Sequence, residues 1–113
     1  MAKNAGTLWL DAIEAEESGD RDRALELSRD VVHIDPTHSD AWMMVARMEL
    51  PPVSRGKQEM PDLKQASKSM SALMKVTELD PDNRRAWDLG GTLMVDHLGM
   101  LQDALGWWER RRD

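Results

Sequence analysis

A nine-residue pattern that occurs twice constrains this chain more than any other feature. Ile34-Asp35-Pro36-Thr37-His38-Ser39-Asp40-Ala41-Trp42 and Leu79-Asp80-Pro81-Asp82-Asn83-Arg84-Arg85-Ala86-Trp87 both read as an apolar residue, Asp-Pro, four variable residues and Ala-Trp. Pro cannot continue a preceding helix, and its preset φ suits a turn or the first turn of the next helix. A polar residue after it, Ser39 or Asn83, can cap the new helix, and the Trp is then its first large buried anchor. The pattern therefore predicts a helix end, a turn and a helix start, twice, and self-similarity at such a period points to a stacked helical array.

Apolar spacing fills in the rest. Leu8, Trp9, Leu10, Ala12 and Ile13 give a first helix that breaks at Ser18-Gly19-Asp20, where Gly19 ends it and Asp20 caps the next. Ala24, Leu25, Leu27, Val31, Val32 and Ile34 recur at helical spacing up to Pro36. A third helix follows Trp42 to about Leu50, with Val45, Ala46 and Met48 facing inward, and Pro51-Pro52 stops it. The segment 51–61 holds three Pro and one Gly without a period and reads as a loop. Leu63, Ala66, Met70, Leu73, Met74, Val76 and Leu79 mark a fourth helix over 62–79. Trp87, Leu89, Leu93 and Met94 mark a fifth, to about His97. After a break at Leu98-Gly99, Leu101, Ala104, Leu105, Trp107 and Trp108 mark a sixth over 100–112. The expectation is an all-α chain of six helices in three hairpins, one domain spanning 1–113.

Composition narrows the function. A net charge of -6 repels a phosphate backbone, so nucleic-acid binding is not expected. No run is long and apolar enough for membrane insertion, and residues 1–10 lack the pattern of a signal peptide. Zero Cys removes disulfides and thiolate catalysis and fits a cytoplasmic location. With five Trp but no Phe or Tyr, and nine Met, the packing surfaces are more pliable than a Leu/Ile/Phe set.

None of the common catalytic motifs is present, so the chain is read as a non-enzyme without a cofactor or metal. Gly90-Gly91 lies inside a helical pattern with no preceding strand, which favours close helix packing over a phosphate loop. His33, Asp35 and His38 straddle a helix end, where a basic ring complements the helix dipole more readily than it binds a metal, and His97 reads the same way. The run Glu14, Glu16, Glu17 and Asp20 is read as a solvated face, and Arg110-Arg111-Arg112 as a dipole-complementing helix end.

On these residues the chain resembles the tetratricopeptide repeat family, whose helix-turn-helix unit of about 34 residues carries a Trp, a Leu-Gly-like pair, an Ala in the second helix and a closing Pro. The matching positions are Leu8, Ala12, Gly19, Ala24, Val31 and Pro36, then Trp42, Val45, Ala46, Leu73, Val76 and Pro81, then Trp87, Gly90, Gly91, Met94 and Ala104. The units would span about 5–38, 39–83 with the loop 51–61 inserted, and 84–113. Pro36 and Pro81 lie 45 residues apart rather than 34, and the loop supplies the difference. A period near 45 also suits HEAT or armadillo repeats, but the first unit fits a length near 34.

The resemblance implies a short right-handed solenoid whose first helices line a concave groove that binds a peptide or helix of a protein partner. Trp9, Ile13 and Glu16 would line it in the first unit, Met43, Met44, Arg47 and Leu50 in the second, and Asp88, Thr92 and Val95 in the third. Where some family members clamp a chaperone tail with Lys and Asn, this groove offers Met, Arg and Asp, so that ligand is not expected. Solenoid ends usually need a polar cap. Trp107 and Trp108 point about 100° apart on the last helix. One of them is therefore left for a homo-oligomer contact, the alternative function.

Overall fold

The computed structural model describes residues 4–96 and 106–110. Five helices occur in the order α1 (Ala5–Glu17), α2 (Arg21–Ile34), α3 (Ser39–Glu49), α4 (Leu63–Leu79) and α5 (Arg84–Asp96). A further helical stretch covers 106–109. Apart from one short hairpin within 53–58, the elements of the described residues are helices in a repeating arrangement, as the periodicity predicts. His97, the break at Leu98-Gly99, most of the sixth helix with Leu101, Ala104 and Leu105, and the terminal Arg111-Arg112 lie outside the described residues.

Each helix boundary has a local cause. Asn4 accepts from the Thr7 N–H at 2.8 Å and starts α1. Gly19, at φ 84, ends it, with Asp20 N–H donating to Ala15 O at 2.9 Å and Gly19 N–H to Glu16 O at 3.1 Å. That paired closure needs a left-handed residue, which Gly supplies without steric cost. Asp20 then caps α2 by accepting from Arg23 N–H at 3.1 Å. Asp62 and Gln65 form a reciprocal capping box at the start of α4.

The two copies of the Asp-Pro pattern fold alike. His38 N–H donates to Asp35 O and Asn83 N–H to Asp80 O, both at 3.1 Å, closing two equivalent turns. The Trp42 indole N–H donates to Pro36 O at 2.8 Å, and that of Trp87 to Pro81 O at 2.7 Å. Asn83 caps α5 through Ala86 N–H at 3.1 Å. At α3, however, the cap is His38, whose Nδ1 accepts from Ala41 N–H at 3.0 Å, while Ser39 is already helical. His38 thus serves the N-terminus of α3 as its cap, where its place in the sequence suggests the dipole at the end of α2. His33 does sit in the last turn of α2.

Within the segment expected to be irregular, Val53–Ser54 and Lys57–Gln58 pair antiparallel as β1 and β2, in register Val53 with Gln58 and Ser54 with Lys57. The connecting Arg55 and Gly56 both have positive φ, at 53 and 75, which is the two-residue turn whose twist matches a hairpin.

Small residues bring the helices close. Ala12 and Ala24 are fully buried where α1, α2 and α3 meet, packed with Leu27 and Met44. Ala46, Ala66 and Ala86 are fully buried in the α3, α4 and α5 cluster with Leu73 and Val76. Buried Ser69 donates to Ala46 O at 2.8 Å, so its hydroxyl is satisfied.

The third cluster joins Met70, Trp87, Met94 and Trp107. The Trp107 indole N–H donates to Trp87 O at 2.7 Å, and the two rings lie 4.5 Å apart at 56°. Gly90 and Gly91 form the seat beneath Trp107 and its neighbour Trp108. A Cβ at Gly90 would meet Trp107 Cζ2 at 2.8 Å, and one at Gly91 would overlap the Trp108 indole.

Gly→Ala in a helix interior ordinarily stabilises by about 1 kcal/mol. Here Gly90→Ala and Gly91→Ala should each destabilise by about 1 to 3 kcal/mol in thermal unfolding, because the added methyl must displace an indole. In a Trp108→Ala background the Gly91→Ala loss should disappear.

Asp35 Oδ1 accepts from the Thr37 hydroxyl at 2.6 Å and from Thr37 N–H at 3.1 Å, and these bonds hold its carboxyl below its ordinary value of 3.8. A folded-state value that is depressed contributes stability above the unfolded value and loses it as pH falls through the folded one. The stability gap between the native chain and Asp35→Asn should therefore be constant at neutral pH and shrink below about pH 4 in denaturant titrations.

Candidate interaction surface

The residues expected on the inner helices converge. Trp9 and Ile13 from α1 with Met43, Met44 and Arg47 from α3 line one recess of about 270 Å³, together with Glu16. α1 and α3 present these side chains at three- and four-residue spacing, which places each set on one helix face. Asp40, Asn83 and Arg85 complete the wall. Met44 is only 1% exposed and is a core residue that also forms the recess floor, whereas Met43 is half-buried.

Leu50 lines an adjoining recess of about 350 Å³ with Arg21, Met48, Pro51 and Leu89. Arg47 and Arg85 border both spaces and so link them. Asp88 and Thr92 are exposed on α5 and Val95 lies further along it, and none of the three lines either recess. The wall is met by the start of α5 rather than its middle, which is why Asn83 and Arg85 stand where Asp88 and Thr92 were expected. The repeat contains the signal for Arg85, since it aligns with Asp40, the residue two before Trp42.

The electrostatics are partly satisfied. Arg47 pairs with Glu16 across α1 and α3, its Nη2 lying 3.4 Å from Oε1, with both side chains 31% exposed. Arg21 donates to Leu50 O at 2.6 Å and Arg47 O at 3.3 Å, meeting the negative end of α3. Arg85 is exposed and makes no ion pair among the described residues. The Trp9 ring lies 4.9 Å from that of His38, which fixes one corner of the recess. The surface thus offers an apolar floor, a paired Arg47 and an open Arg85.

Of the two residues expected at an assembly surface, Trp107 is 3% exposed and Trp108 half-buried. The expected orientation difference between neighbours is realised by seating one on Gly90 and the other on Gly91. Among the described residues no group of His, Asp or Glu is arranged to hold a metal, and no helix is long and apolar enough to cross a membrane.

A double-mutant cycle on Glu16→Gln and Arg47→Gln should give a coupling of about 0.5 kcal/mol in chemical denaturation, and less at high salt, because the pair is partly open to solvent. Zero coupling would remove Arg47 as a strut between α1 and α3.

No family model matches the sequence, and no curated protein matches it. Solved structures do. Two crystal structures of MamA superpose with TM-scores of 0.73 and 0.74, each at 12% identity over 96% of this chain. The match takes in 52% and 56% of those chains, so this chain spans about half their length. At that identity the likeness is one of architecture, and it shows this chain to have a tetratricopeptide-like helical-repeat fold.

Proposed function

We propose that the chain is a protein-interaction scaffold, built of three tetratricopeptide-like units, that takes a peptide or helix of a partner on the face formed by α1, α3 and α5. The observation that carries this reading is the convergence of Trp9, Ile13, Met43, Met44 and Arg47 on one recess, continuous through Arg47 and Arg85 with that of Leu50. An apolar floor of Met and Trp adapts to varied side chains, and Arg85 supplies an anchor for a carboxylate. Asp88 and Thr92 would act at the far margin of the same face.

Met43→Asp tests it, since Met43 is half-buried at the rim and its replacement places a charge over the apolar floor. In affinity capture, proteins held on this face of the native chain should be lost by Met43→Asp and kept by Lys64→Glu, an exposed residue that lines neither recess, with helicity unchanged in both. Retention of the same proteins by Met43→Asp would contradict the reading.

Self-association through the last hairpin is the second reading, favoured by the indole of Trp108 that remains partly exposed. Trp107 is core, so Trp108→Lys alone is the clean probe. By light scattering it should reduce a native multiple of 12.9 kDa to that mass, and a native chain already at 12.9 kDa across concentrations would dismiss this reading.

A further inference from the structure

An open space lies on the other side of the described molecule, between α2 and α4. It is a trough of about 660 Å³ with a mainly apolar lining. Trp42 and Val45 of α3 form its floor, Val32 and Ala72 its inner walls. The repeat itself indicates what is missing there. In the second copy of the Asp-Pro pattern, the Trp87 ring is covered by Trp107. Trp42 occupies the equivalent position, makes the equivalent bond to its proline carbonyl, and yet is only half-buried, with no ring stacked on it among the described residues. Its free surface faces the trough.

The rim has a charge unlike that of the whole protein. Arg29 and His33 stand on the α2 wall and Lys68 and Lys75 on the α4 wall, and the sole carboxylate in the lining is Glu49. Glu49 is 9% exposed and already paired with Arg29. Lys68 makes no ion pair among the described residues, and Lys75 reaches Glu78 only at 3.8 Å with both side chains more than half exposed, a weak pair. Lys68 is therefore an uncompensated cation among the described residues, and Lys75 only a weakly paired one, in a chain of net charge -6. They are separated by two helical turns, about 10 Å along α4.

From this we propose that the trough is a second docking site, for an acidic amphipathic helical segment of another protein. The segment would set one large apolar side chain over Trp42, as Trp107 sits on Trp87, with carboxylates two turns apart meeting Lys68 and Lys75. The apolar floor selects a peptide with a large apolar side chain over a free anion or a phosphate backbone. This site does not depend on the α1, α3 and α5 face.

The test is fluorescence anisotropy of the full chain with a labelled synthetic helical peptide carrying a central Trp and Leu flanked by Glu. Its control has every Glu replaced by Lys. The Glu peptide should bind at least about tenfold more tightly than the Lys peptide. Lys68→Glu with Lys75→Glu should weaken it about tenfold or more. Both lysines are exposed, so circular dichroism should show the fold retained, and Met43→Asp should leave binding unchanged. Equal binding of the two peptides, no binding of the Glu peptide, or indifference to the double substitution would overturn the proposal. A second copy is the competing occupant, through the acidic ridge of α1 that carries Glu14, Glu17 and Leu10, the last 67% exposed. A mass by light scattering that is a multiple of the monomer, and falls to the monomer with the lysine substitutions, would assign the trough to that contact and overturn the proposed partner.

Discussion

The structure depends most on one bond made twice, the indole N–H of a tryptophan donating to the carbonyl of the proline six residues before it. A neutral hydrogen bond of this kind contributes about 1 kcal/mol, too little to stabilise a helical array by itself. Its importance is geometric. Pro fixes one end of the turn, the capping side chain fixes the start of the next helix, and the indole ties the two together across the first helical turn. The direction in which α3 leaves α2, and α5 leaves α4, is thereby set by residues within nine positions of one another. The faces that face inward and outward follow from that direction.

Given those directions, two further constraints complete the packing. Alanines at the helix crossings allow backbones to approach closely, so little large apolar volume is needed despite the absence of Phe and Tyr. At the C-terminal side the indoles of Trp107 and Trp108 fit only because α5 presents Gly90 and Gly91 beneath them. The same tryptophan that is closed over in the second copy stands open in the first, and that inequality creates the trough between α2 and α4. The trough is thus a consequence of how the repeated turn is, or is not, covered.

What could be read from the sequence was local or periodic. The Asp-Pro turns and the Gly19 helix end follow from residue chemistry at fixed short spacing, whereas setting Trp9, Ile13, Met43, Met44 and Arg47 on one face rested on the resemblance to tetratricopeptide repeats. The close packing at Gly90-Gly91 was legible too, because a helical context leaves little else for adjacent glycines. Failures fell where neighbours differ by one residue or contacts are distant. His38 and Ser39 are both able to cap, and only the backbone register decides between them. The hairpin at Val53–Gln58 was hidden because its turn is Arg-Gly rather than Asn-Gly, and each strand has two residues. Asp88 and Thr92 were placed by analogy of phase, whereas the recess meets α5 one turn earlier. The pairing of Arg29 with Glu49 joins helices that no spacing rule connects.

Five tryptophans make the central claim directly observable. In a nitrogen-15 labelled chain each indole N–H gives one resonance, whose exchange with deuterium can be followed separately. The structure predicts slow exchange for Trp42, Trp87 and Trp107, which donate to backbone carbonyls. Trp9 and Trp108, which have no such acceptor among the described residues, should exchange faster. Exchange of Trp42 and Trp87 as rapid as that of Trp9 would show that the indole ties are not formed, and the arrangement of both faces derived from them would fall.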